Sequence, residues 1–314
     1  MPDQKRPAGR RAEEPMEGAC EIARLPEELL SAVLARTTPR DACRAAAVSP
    51  AFRAAAGSDA VWAAFLPPGG LPPLADGEPQ GPALPSSKKE LFLRLSAGPA
   101  LLHDRLVSVW LDRETGAKCY MLSARKLSIV WVDTHWAWIP LEDSRFSEGA
   151  ELEDVCWFEI HGKIHSKMLS QDTTYAAYMV FKMADYYYGL NFPAQEASVS
   201  SGATNLTREV CLQAGEADEK THYDEGDDDE SDEEEEEDVD EYYRSLTNRR
   251  VVHEENVMLP QRRADGWMEL ELGEFLSEGG DDGEVSISLM ETKSGKWKSG
   301  LIVQGIEIRC KKSG

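Results

Sequence analysis

The sequence predicts two fold classes in series: a small all-α unit followed by an all-β antiparallel sandwich. Three observations carry this. Residues 25–67 (LPEELLSAVLARTTPRDACRAAAVSPAFRAAAGSDAVWAAFLP) repeat apolar residues at helical spacing between breaker residues. From Lys118 onward the apolar period changes to two. No long amphipathic helix interleaves with those alternating runs, which argues against a parallel sheet built on helical crossovers.

The helical unit is punctuated residue by residue. Leu25-Pro26 opens it, since proline suits the first turn of a helix. Leu29, Leu30, Val33 and Leu34 form the first apolar stripe. Thr38-Pro39-Arg40-Asp41 ends that helix and starts a second, whose stripe is Ala42, Cys43, Ala46 and Val48. Ser49-Pro50 breaks again, and Ser58-Asp59 reads as an N-cap ahead of Val61, Trp62 and Phe65. The unit is too small to bury a core alone.

Residues 68–105 then read as a Pro/Gly-rich linker with short helices (Leu91 and Leu95, then Leu101 and Leu102), and proline density predicts a semi-stiff spacer. Strands follow. Leu127, Ile129 and Trp131 alternate with Ser128 and Val130, and Tyr175 to Ala184 is a strand-rich run. Met268, Leu270 and Leu272 alternate with glutamates, and Val285, Ile287 and Leu289 with serines. Leu301 and Val303, then Ile306 and Ile308, alternate around Gly305, which predicts a bulge. Two such sheets packed face to face are the expected architecture over 106–314.

The net charge of −23 is concentrated. Residues 224–241 hold 15 acidic residues of 18, which leaves −8 on the other 296 residues. Such a run repels itself and buries little, so a disordered insert of about 214–250 is expected within the β region. Ser231, followed by Asp232, Glu233 and Glu234, is a candidate site for an acid-directed kinase. Residues 1–20 are polar and read as disordered, with Met16 as an alternative start. The six cysteines lack metal-ligand spacing and read as free thiols in a reducing compartment. With no apolar leader and no run long enough for a bilayer, a cytoplasmic or nuclear protein is expected, without a membrane role. No concentrated basic footprint points to nucleic acid.

The order Leu25-Pro26, Leu29/Leu30/Val33, Asp41-Ala42-Cys43, Val48-Ser49, Phe52-Arg53 and Asp59 to Trp62 resembles the F-box over residues 21–67. The resemblance implies docking to a Skp-type adaptor, and through it to a cullin–RING ubiquitin ligase. The residues it assigns to that contact are Leu25, Pro26, Leu29, Leu30, Val33, Leu34, Val48 and Trp62.

Residues 106–314 resemble the phloem protein 2 family, the Nictaba-like lectins of plants. The resemblance rests on Lys118–Trp138, Leu152–Ile164, Tyr175–Tyr188, Arg263–Leu272 (RADGWMELEL) and Gly295–Lys311 (GKWKSGLIVQGIEIRCK). It implies a jelly-roll-like lectin sandwich that binds N-acetylglucosamine oligomers or N-glycans. Sugars present apolar C–H faces, which suit an exposed aromatic plane with polar groups at its rim. Trp131, Trp136 and Trp138 are the candidate carbohydrate contacts. Trp131 is in phase with Leu127 and Ile129, which points to the buried face. Asp133-Thr134-His135 reads as a loop, which makes Trp136 the most exposed of the three; Trp138 either faces ligand or packs before Ile139-Pro140. Trp157, Trp267 and Trp297 read as core.

No cofactor and no metal site is expected. His161 and His165 share a strand face without a third ligand, and Glu269 and Glu271 read as solvated strand carboxylates. No catalytic constellation is present in the sequence. The leading reading is a non-catalytic substrate receptor of an SCF-type ligase whose β domain takes a client, through an N-glycan or through protein. The other readings are a free-standing cytosolic or nuclear lectin, and a protein-binding sandwich without sugar affinity.

Overall fold

The computed structural model describes residues 22, 25–68, 70–78, 86–213, 257–280 and 283–311. The expectations for residues 1–20, for the acidic insert and for Ser231 lie outside the described residues.

Four short helices form the first unit: Glu27–Leu34 (α1), Pro39–Ala45 (α2), Pro50–Gly57 (α3) and Asp59–Phe65 (α4). Their starts are set by local side-chain bonds. The Thr38 hydroxyl accepts from Asp41 N at 3.1 Å, Ser49 Oγ from Phe52 N at 3.3 Å and Ser58 Oγ from Ala60 N at 3.3 Å. Each satisfies one orphan amide of a first turn. Proline follows the cap at Pro39 and Pro50, where a missing N–H costs nothing. Leu30, Leu34, Ala42, Ala55, Ala56, Val61, Trp62 and Phe65 bury one another, and Trp62 Nε1 donates to Ala56 O at 2.7 Å.

A fifth helix, Lys88–Leu95 (α5), completes this core with Phe92 and Leu95. The ring centroids of Trp62 and Phe92 are 5.2 Å apart. Ser87 caps α5, and Glu90 reaches back to Ser86 N and Oγ at 2.7 and 2.6 Å. Those Ser86 bonds, with a further one from Arg94, hold the Glu90 carboxyl at about 2.

The strands of one sheet are Ala100–Leu101 (β1), Val107–Leu111 (β2) and Lys118–Ser123 (β3), with Ser128–Ile129 (β4) in the other. Next come Trp136–Pro140 (β5), Glu148–Leu152 (β6), Phe158–His165 (β7), Thr173–Tyr188 (β8), Gln195–Ser201 (β9) and Thr204–Val210 (β10). The chain closes with Gln261–Arg262 (β11), Met268–Ser277 (β12), Glu284–Glu291 (β13) and Ser299–Cys310 (β14). Among the described residues the larger sheet runs β1-β2-β3-β14-β8-β12-β11, with β6 on β14 and β5 on β6. The smaller runs β10-β9-β13-β7-β4. Every strand ladder is antiparallel.

Period-two alternation builds the core between the sheets. Phe158, Ile160 and Ile164 of β7 and Val285, Ile287 and Leu289 of β13 face Met179, Phe181, Leu270, Leu272, Ile306 and Ile308 of the larger sheet. The bulge expected at Gly305 is present as a register shift between Val303 and Gly305 against β8. The alternation expected through Trp131 is not. Strand β4 ends at Ile129, and residues 130–134 form a turn.

Residues 68–105 are not a free spacer over their described part. Leu71 and Leu74 pack on the sheet core, Leu74 bridges Leu102, and Ala75 N donates to Leu101 O at 2.8 Å. Those apolar residues among the prolines anchor the segment. The two units also touch directly. Leu111, at the end of β2, is fully buried in the helical core. In the β2–β3 turn, Asp112 Oδ1 accepts from Glu114 N and Thr115 N at 3.0 and 2.8 Å. Gly116 takes φ +81° there, and a Cβ would stand 2.9 Å from Phe65 O. Arg40 pairs with Glu114 at 3.4 Å across the same contact.

Candidate functional site

On α1, positions four apart share a face. Leu30 and Leu34 point into the helical core at 1% and 4% exposure. Leu29 and Val33 form the neighbouring stripe and stay open at 52% and 57%, and Leu25, just before the helix, is open at 39%. Val48, beyond the end of α2, is 72% exposed, and Pro26 is exposed as well. The adaptor contacts expected from sequence therefore divide. Leu25, Pro26, Leu29, Val33 and Val48 are available to a partner. Leu30, Leu34 and Trp62 are spent on the unit's own core, because their helical phase turns them inward.

The three candidate tryptophans of the β domain also separate, and not in the expected order. Trp131 lies in the turn after β4, in the left-handed region at φ +64°. Its carbonyl accepts from Thr134 N and His135 N at 3.0 and 2.9 Å. That turn breaks the strand phase and leaves the indole 45% exposed. A bulky residue held at positive φ is uncommon, and such strain concentrates at binding sites. The ring meets Trp157 edge-on at a centroid distance of 5.3 Å and His135 at 6.1 Å.

Trp136, expected to be the most exposed, is buried among the core residues at 5%. It opens β5 opposite Leu152 of β6, so it is a strand residue and not part of the loop. Among the described residues its Nε1 has no protein partner. Trp138 is half-buried, and the Arg125 guanidinium covers one face of its ring, 3.6 Å from the centroid. Glu148 pins that arginine at 2.8 Å. Trp131 is thus the one of the three that is exposed.

Other aromatic expectations shift too. Trp267 is core, as read, with Lys182 Nζ 4.5 Å from its ring centroid. Trp157 is half-buried beside Trp131, and Trp297 is 56% exposed. The signal for Trp297 was its place directly after the turn residues Ser294-Gly295-Lys296, outside any alternating run.

Glu269 and Glu271 are not solvated. Arg309 pairs with Glu269 at 2.6 Å and with Glu307 at 2.9 Å, and Arg263 with Glu307 at 2.8 Å. Arg208 holds Glu271 at 2.9 Å. Burial alone would lower the Arg309 guanidinium; its hydrogen bond to Glu269 and the charges of Glu307 and Glu269 outweigh that and raise it. Carboxylates committed to arginines in this way form a structural ladder on one sheet face. His161 pairs with Glu159 at 3.0 Å, and His165 Nδ1 accepts from Lys167 N at 3.2 Å. Among the described residues no group of three His, Cys, Asp or Glu side chains is placed to hold a metal ion.

Comparison with known proteins matches this division of the chain. A family model described as F-box-like matches residues 22–66, and one described as Phloem protein 2 matches residues 117–310. F-box protein PP2-B1 of Arabidopsis thaliana is 40% identical over 92% of this chain and 90% of its own length. F-box protein PP2-B10 of the same plant is 42% identical over 90% of this chain and 92% of its own. F-box protein PP2-B15 is 37% identical over 91% and 96%. The chain belongs to the phloem protein 2 family, as a member that carries an F-box-like unit ahead of its lectin-like β domain.

Proposed function

We propose that this chain is the substrate-recognition subunit of an SCF-type cullin–RING ubiquitin ligase, acting in the cytoplasm or nucleus without catalytic chemistry of its own. The observation that carries this reading is the outward stripe Leu29 and Val33, with Leu25 and Val48. These residues lie on a unit that already has a closed core, so their exposure needs a partner. A Skp-type adaptor fits that face, given the F-box-like match. The test is capture of a plant Skp-type adaptor by the full chain. Leu29→Asp with Val33→Asp should reduce capture at least about tenfold while leaving the thermal midpoint unchanged, since a charge at an exposed apolar contact blocks docking and not folding. Undiminished capture by that variant would sink the reading.

The client is taken by the β domain, and a glycan is the favoured handle. The supporting observation is Trp131, an exposed indole raised on a strained turn with Trp157 and His135 beside it. N-acetylglucosamine-containing sugars suit such a plane.

A further inference from the structure

Two thiols meet at one end of the sandwich core, away from both surfaces described above. We propose that Cys119 of β3 and Cys310 of β14 are a peroxide-sensitive pair, which oxidation joins in a disulfide within the chain.

Strands β3 and β14 are neighbours, and their ladder ends at the pair Tyr120–Ile308. Cys119 is the next residue on β3, and Cys310 is the last residue of β14. At such a diagonal the Cα atoms of antiparallel neighbours stand about 6 Å apart, within the range that a disulfide spans. Strict alternation lapses here, since Cys119 and Tyr120 are both buried in the core between the sheets, together with Cys310. Both sulfurs lie against the β2–β3 turn. Cys310 Sγ is 3.5 Å from Thr115 Oγ1, and Cys119 Sγ is 3.9 Å from Ala117 O. The two thiols are hydrogen-bonded to each other. Cys211, another buried thiol, donates instead to the Gln213 carbonyl at 3.0 Å.

The two sulfurs are suited to different steps. The Cys119 thiol donates to Cys310 Sγ; that bond, with burial, holds Cys119 well above the ordinary thiol range, and the same bond lowers Cys310 against its own burial. Cys310 is also the more open of the two, at 8% against 1%, at the strand end that leads to exposed Lys311. The thiolate is the reactive form of a cysteine, so Cys310 attacks and Cys119 resolves. The Cys310 thiolate attacks one oxygen of hydrogen peroxide, the O–O bond breaks, and the departing hydroxide takes a proton and leaves as water. The sulfenic acid formed lies beside Cys119. The Cys119 sulfur then displaces its hydroxyl, which takes the Cys119 proton; the S–S bond forms as the S–O bond breaks, and a second water leaves. Two thiols thus give up two electrons and two protons, and one peroxide becomes two waters. The bond closes a loop from residue 119 to residue 310 that holds most of the sandwich, a strong constraint on the unfolded chain.

The test is treatment of the reduced full chain with a few equivalents of hydrogen peroxide, alkylation of free thiols before unfolding, and peptide mapping without reductant. One linked pair should dominate, joining the peptides that carry residues 119 and 310, in a chain lighter by two hydrogen atoms. The thermal midpoint should rise by about 5 °C and return on adding a dithiol. Cys310→Ser should abolish both changes, and Cys43→Ser, at the exposed cysteine of α2, should leave both intact. The wild-type map requires no variant to fold. Both thiols still free after peroxide, linkage of another cysteine pair, a disulfide between two chains, or oxidised Cys310 beside alkylated Cys119 would each overturn the pair. A linked pair with an unmoved midpoint would overturn its stabilising effect.

Discussion

The helical unit and the sandwich sort their large apolar residues by different rules. On α1 the sorting is by phase alone. Leu30 and Leu34 are buried, and Leu29 and Val33 are exposed on the same two turns of helix. In the sandwich, strand phase buries Trp136, Trp267 is buried just ahead of β12, and the exposed tryptophans sit where phase has been interrupted. Trp131 is in a left-handed turn, and Trp297 follows a turn braced by a buried ion pair. On the helix the exposed apolar residues thus follow its phase, whereas in the sandwich the exposed tryptophans follow its turns. The two attachments proposed above would fall on the two kinds of surface.

The comparison is sharpest at Trp62. Trp62→Ala removes a fully buried indole together with its bond to Ala56 O, and should cost about 4 kcal/mol in urea unfolding. Leu29→Ala, on the outward stripe, should stay within about 0.5 kcal/mol. Equal losses would mean that phase does not separate the two stripes.

Next in size is the brace under Trp297. Lys298→Met strands the Glu291 carboxylate and should cost about 3 kcal/mol. The double variant with Glu291→Leu should recover most of that loss, because the stranded charge is gone. A double variant as unstable as the single one would show that the pair's hydrogen bonds, and not its charges, hold the turn.

The smallest effect is with acid. Burial alone would raise the Glu291 carboxyl, but hydrogen bonds from Lys298, Ser294 and Lys293 N outweigh it and hold the group below its ordinary value. A depressed carboxyl stabilises the fold above its ordinary range of about 4 and loses that contribution as pH falls through the folded value. Wild type should therefore lose more stability on acidification than the Lys298→Met/Glu291→Leu variant. Parallel acid curves for the two would refute this.

Much of the architecture was legible because its causes are local. Thr38, Ser49 and Ser58 cap helices through amides two or three residues on, so short strings announce the boundaries. Alternation at Met268–Leu272 and Val285–Leu289 reports a face buried along its whole length. The sites were less legible because their causes are not local. Both stripes of α1 are apolar, and the sequence does not say which one the unit keeps for itself. Trp131 is in strand phase in the sequence, and only the turn at φ +64° takes it out. Arg125, from another turn, covers one face of the Trp138 ring, which no local signal announces. Leu71, Leu74 and Ala75 were hidden by the prolines and glycines around them, whose average composition resembles a spacer.

The burial of Leu111 among the helical residues carries a consequence for the order in which the chain is made. Domains fold largely as units from the N-terminal end during synthesis. Here the first unit lacks its last core residue until the second strand of the β domain has been translated. A fragment that stops before residue 111 leaves the helical core without that member. The outward stripe of α1 therefore sits on a scaffold that closes only once the β domain has begun to form.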